Sequence, residues 1–127
     1  MGAGAASAFI CLHAEKTMKK TYNLGNKTLT LKASLYTQIA YKAEFGHDML
    51  GDLSRADGLL KSKDPDDNID GRIIYLQALY VLAEEGSGEL PPFADWLSEI
   101  EGADMPDIIT TVSNIYLSTL KPDRKNG

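Results

Sequence analysis

One cysteine, Cys11, one tryptophan and two histidines stand in a chain of 127 residues. A lone cysteine closes no internal disulfide, and His13 and His47 have no second histidine or cysteine at ligand spacing, so a structural zinc site is excluded. Long apolar runs are missing too. The stretch Ala3–Ala14 falls well short of the roughly 20 residues that span a bilayer. No G-x-S-x-G, no Walker-type phosphate loop and no Rossmann glycine fingerprint occurs. Basic excess is also lacking: a net charge of −5 and a pI near 4.9 argue against a nucleic-acid binder. What is present is 43% hydrophobic and 24% charged residues, the make-up of one globular domain with a real core.

Charge is unevenly spread. Residues 1–43 carry a net +5, residues 44–120 a net −12 and residues 121–127 a net +2. Such asymmetry steers partners over roughly a Debye length of 8 Å, and it also serves solubility.

Met1–Thr17 differs from the rest. It is small and apolar, with Lys16 after the apolar stretch, the reverse of a secretory signal. Ala8-Phe9-Ile10 before Cys11 is a poor lipoprotein cleavage box. The native start is expected at Met18, with 1–17 a flexible or non-native extension.

From Met18 the pattern is legible. Thr21–Leu24 and Thr28–Leu31 alternate with period two around Gly25-Asn26-Lys27, which predicts a β-hairpin burying Tyr22, Leu24, Leu29 and Leu31. A lone hairpin is marginal in water, so that face must lie on helices. Ser34 is the expected N-cap of a helix closed by Gly46. On it Leu35, Tyr36, Ile39, Ala40 and Ala43 share one broad face, while Tyr41 and Phe45 share another that meets either a core element or a partner. His47–Leu60 reads as a short helix anchored by Met49, Leu50 and Leu53. Lys61–Asp70 reads as an acidic loop, and Asn68 or Asp70 caps a long helix through Glu85 that Gly86 ends. Its apolar residues run nearly all round, the mark of a central helix. Pro91-Pro92 starts a short helix with Phe93, Trp96, Leu97 and Ile100. Pro106 starts the last one, with Ile108, Ile109, Val112, Ile115, Tyr116 and Leu120 as its stripe, until Pro122 stops it. The expected fold is mainly α (α+β): over 18–120, an N-terminal β-hairpin packed on a bundle of about five helices, then a frayed tail over 121–127.

Chemistry is sparse. A calcium loop starting at Asp64 would need glycine at its sixth position and a bidentate acid at its twelfth, where Ile69 and Tyr75 stand. Asp48 and Asp52 share a helix face, which without a cleft makes no acid/base pair. No catalytic residue, cofactor or metal ligand is expected, and the chain does not read as an enzyme. Aromatics are more suggestive: Tyr75, Tyr80, Phe93 and Trp96 gather around the central helix and the short proline-started one, and such residues serve cores and interfaces alike.

The order of elements resembles a known family. A short hairpin over Lys20–Leu31 leads to a helix ending in Glu44-Phe45-Gly46, and the Asp48-Met49-Leu50 helix follows. An acidic stretch, a long apolar helix ending in Ala83-Glu84-Glu85, and Trp96-Leu97 ahead of the last helix complete it. This layout, over residues 18–120, is similar to the tail assembly chaperones of long-tailed bacteriophages and prophages, especially of Gram-positive hosts. It lies in spacing and not in an invariant chemical motif, and residues 1–17 have no counterpart. The resemblance implies a non-enzymatic protein of the host bacterial cytoplasm that binds the tape measure protein and recruits tail tube subunits. Many such proteins are absent from the finished virion and have a longer frameshifted form. Tyr41, Phe45, Tyr75 and Trp96 are the partner-binding candidates. No nucleic acid or membrane is implied, and self-association stays open. The alternatives are a structural head–tail connector or completion protein and a helical protein-binding adaptor.

Overall fold

The computed structural model of the chain describes residues 18–120, with side chains over 19–118. The extension expected over 1–17, the tail over 121–127 and the stop at Pro122 lie outside the described residues. Strands β1 (Met18–Leu24) and β2 (Lys27–Ala33) form an antiparallel hairpin. Five helices follow: α1 (Tyr36–Phe45), α2 (Met49–Lys61), α3 (Pro65–Ser87), α4 (Phe93–Ser98) and α5 (Met105–Leu120). A hairpin followed by five helices is the expected architecture.

The register pairs Tyr22 with Leu29 and Lys20 with Leu31. Alternation then puts Tyr22, Leu24, Leu29 and Leu31 on one face, and all four are buried. Two residues make the turn, not three, because Lys27 already pairs with Leu24. Gly25 has φ +55° and Asn26 stays at negative φ, as a type II′ turn requires. Asn26 clamps this turn to the segment before α5: its N–H donates to the Glu101 carbonyl and its Oδ1 accepts from the Glu101 N–H, each at 2.9 Å.

Helix α3 is the central element. Ile74, Tyr75 and the whole run Ala78–Ala83 are buried, so neighbours must surround it. The hairpin, α1, α2 and α5 all pack on it. It starts earlier than expected: Asp64 is the N-cap, with Oδ1 accepting from the Asp66 N–H at 2.9 Å, and Pro65 takes the first position. Proline's missing N–H costs nothing there, and Asp66 and Asp67 suit the positive end of the helix dipole. The acidic stretch is therefore the first turns of α3, not a loop. Asn68 turns back instead, its Nδ2 donating to the Leu59 and Ser62 carbonyls at 2.9 and 3.0 Å. That satisfies carbonyls at the C-terminus of α2.

The other end of α3 also runs on. It passes Gly86 to Ser87, with Gly88 as the cap. A Cβ on Gly86 would lie 2.1 Å from the Thr30 carbonyl oxygen, so this glycine marks the close approach of α3 to β2. In α2, Met49 is buried and Leu53 partly so, whereas Leu50 is exposed. In α5, Ile108, Val112, Ile115 and Tyr116 are buried and Ile109 partly so.

Candidate protein-interaction surface

The start of α1 decides which way the helix faces. Leu35, not the expected Ser34, is the N-cap of α1, and it makes no side-chain capping bond; Ser34 stands one residue earlier, and its Oγ accepts from the Tyr36 N–H at 3.2 Å. The Ser34 N–H donates to Thr37 Oγ1 at 2.8 Å. Both hydroxyls then donate to one carboxylate, Ser34 to Glu85 Oε2 at 2.5 Å and Thr37 to Glu85 Oε1 at 2.6 Å. These charge-assisted bonds tie α1 to the end of α3 and turn Thr37 inward. Residues four and eight further on, Tyr41 and Phe45, must follow it.

A second polar anchor lies one turn on. Tyr41 is fully buried, and its hydroxyl donates to Asp52 Oδ2 at 2.7 Å, with Gln77 Oε1 at 3.0 Å from the same oxygen. One phenol proton serves one acceptor, and the ionised carboxylate is the stronger. Asp52 Oδ1 accepts from Arg55 at 2.9 Å and lies 3.5 Å from His47 Nδ1. Burial alone would raise the Asp52 pKa. The Tyr41 and Arg55 hydrogen bonds and the charges of His47 and Arg55 outweigh it and hold the group below its ordinary range. Burial, then the hydrogen bond to Asp52 and its charge, push the Tyr41 phenol far up. With both Asp52 oxygens engaged, this is a strut between α1, α2 and α3. Asp48, four residues before, caps α2 by accepting from the Gly51 N–H at 2.7 Å.

Phe45 extends the inner stripe into an aromatic cluster. Its ring centroid lies 5.2 Å from Tyr41 and 5.2 Å from Phe93, and Tyr80 stands 5.4 Å from Phe93 and 5.2 Å from Trp96. Most of these pairs meet edge to face, the favourable arrangement. The structure thus brings three of the four partner-binding candidates, Tyr41, Phe45 and Trp96, together inside the core. Trp96 is 1% exposed. Tyr75 stays apart from them, buried beside a depression of about 230 Å³ lined by Leu50, Leu53, Tyr116 and Leu117. None of the four presents a surface for docking, Phe45 alone being partly exposed.

The opposite side of α1 is the one left in water. Leu35 is 66% exposed, Tyr36 58% and Ile39 64%. Of the two faces read from the sequence, the one with Tyr41 and Phe45 meets the core, and most of the broad apolar one does not. The polar anchors at Thr37 and Tyr41 select the other face, and only a polar-partner argument, not periodicity, could have found that. Ile39 and Ala43 line a shallow depression of about 440 Å³ with Gln38, Lys42 and Asp48. Leu35, Tyr36 and Ile39, within two turns of one another and next to lysine, are the most exposed large apolar side chains among the described residues.

Among the described residues, no cluster of three or more acidic, histidine or cysteine side chains is placed to hold a metal, and no helix is long and apolar enough to cross a membrane. In comparisons with known proteins, no family model, no curated protein and no solved structure matches the chain.

Proposed function

We propose that this chain is a non-enzymatic phage tail assembly chaperone, which binds the tape measure protein in the host cytoplasm and recruits tail tube subunits. The exposed stripe Leu35-Tyr36-Ile39 at the start of α1 carries the reading, because among the described residues the other aromatics are buried or partly buried. The tape measure protein docks there by an amphipathic helix, with its apolar side on Leu35 and Ile39. Lysines favour an acidic rim on that partner: residues 18–43 hold five of them and no acid. The layout of hairpin and helices that resembles the chaperone family supports the same reading.

Co-expression of the full chain with the tape measure protein, which the reading expects as the product of a very long helical reading frame just downstream, tests it. A soluble complex that co-purifies, with the chain absent from finished virions, is the expected result. Failure to form that complex, or recovery of the chain as a virion component, would overturn the reading. The second outcome would favour a head–tail connector.

A further inference from the structure

The hairpin has two unlike outer edges. In a two-residue hairpin the pair flanking the turn is hydrogen-bonded, here Leu24 with Lys27. Backbone groups of Lys20, Tyr22 and Leu24 then point toward β2, and those of Lys19, Thr21 and Asn23 point away from it. On β2 the outward groups belong to Thr28, Thr30 and Lys32. Ser87 closes that edge: its Oγ accepts from the Thr30 N–H and donates to the Thr30 carbonyl, both at 3.0 Å. On β1 nothing comparable occurs among the described residues. Among the described residues, no strand and no backbone bond from another element reaches Lys19, Thr21 or Asn23, and all three are exposed. The strand has no proline, glycine or bulge to blunt it.

We propose that β1 pairs antiparallel with β1 of a second copy about a two-fold axis at Thr21, joining two hairpins into a four-stranded sheet. The strand runs from Met18 to Leu24, so Thr21 is its midpoint and full overlap coincides with the symmetric register. Thr21 then faces Thr21, Lys19 faces Asn23, Lys20 faces Tyr22 and Met18 faces Leu24. The outward groups of residues 19, 21 and 23 meet their counterparts in about six backbone hydrogen bonds.

Edge lysines ordinarily resist such pairing, and here they choose the register. Centring on Lys19 or Lys20 sets like charges directly opposite, which destabilises a strand pair. Centring on Thr21 puts no lysine across from another. It also brings the second copy's Lys20 opposite Tyr22, on the sheet face where the Tyr22 hydroxyl donates to Asp107 at 2.6 Å. That charge complementarity favours a second copy over an unrelated strand. The contact is isologous and closes at two copies. It leaves the outer face of α1 open, so it stands or falls separately from the chaperone reading.

Sedimentation velocity of the full chain over a range of concentrations tests the pairing. A reversible monomer–dimer equilibrium is expected, and Thr21→Pro should weaken it by at least about tenfold. Proline there removes a donor at the symmetry axis from both copies, while the inner ladder to β2 is untouched and an edge strand tolerates it. Thr21→Cys in a Cys11→Ser background gives a second readout: an intermolecular disulfide, since hydrogen-bonded partners lie about 5.5 Å apart at Cα. A wild-type chain that stays monomeric throughout would overturn the proposal. So would a dimer that Thr21→Pro leaves intact, or one that Thr21→Cys fails to cross-link. A dimer abolished by Ile39→Asp with Thr21→Cys unlinked would move the interface to α1 and overturn it equally.

Discussion

Helix α1 buries Thr37 and Tyr41, packs Phe45 partly against the core, and with its N-cap Leu35 leaves Tyr36 and Ile39 in water, although the second set is the more apolar. Burying a leucine or isoleucine contributes about 1.5–3 kcal/mol, so the chosen orientation forgoes a sizeable hydrophobic gain. Directional bonds offset it. Glu85 takes the hydroxyls of Ser34 and Thr37, and Asp52 takes the Tyr41 hydroxyl. The Phe45 ring adds aromatic contacts to Tyr41 and Phe93. Where two faces of a helix are both apolar, buried polar partners decide which one turns inward. The face that loses is left as an exposed apolar surface.

Three substitutions on the inner face should break this arrangement, in decreasing order. Tyr41→Ala leaves a large cavity and an underserved Asp52. It should lower unfolding free energy by about 3–5 kcal/mol in urea titrations. Glu85→Ala cuts both hydroxyl tethers at the start of α1 and should cost about 1.5–3 kcal/mol by the same measurement. Tyr41→Phe keeps the ring and removes one hydrogen bond, for about 1–3 kcal/mol at neutral pH.

That last effect has a definite pH dependence. The Asp52 pKa is lower in the folded chain than in the unfolded one. Its stabilisation is therefore complete above the unfolded value and is lost as pH falls through the folded value. Chemical unfolding of wild type and Tyr41→Phe along an acid series should show their stability gap narrowing in that window. A gap that widens toward acid would contradict the assigned charge on Asp52.

The outer face should behave in the opposite way. Leu35→Ser and Ile39→Ser replace exposed side chains that touch little, so each should change stability by no more than about 0.5 kcal/mol.

Much of this fold was readable from period alone. The hairpin, with Tyr22, Leu24, Leu29 and Leu31 facing in, follows from strict alternation, and the centrality of α3 from its apolar residues on every side. Three features that period alone does not give share a cause. Asp64-Pro65 does not stand out as a helix start, since a run of acids looks like a loop until the cap and dipole are weighed. Gly86 looks like a helix end, but it is a place where two backbones touch. Apolar count does not decide between the two faces of α1; residues 48 and 11 positions away in sequence, Glu85 and Asp52, settle it. Such distant polar partners leave no local trace. The burial of the interaction candidates has a related reason: tyrosine and tryptophan suit cores and interfaces equally, so identity alone does not separate Trp96 in the core from Tyr36 on the surface.

The central claim is that the outer face of α1 is kept for a partner and contributes little to folding. A Leu35→Ser/Ile39→Ser double variant tests it most directly, with melting temperature and co-purification of the tape measure protein measured on the same preparation. The account predicts wild-type melting and lost co-purification. A melting temperature lowered by several degrees with the partner still held would contradict it.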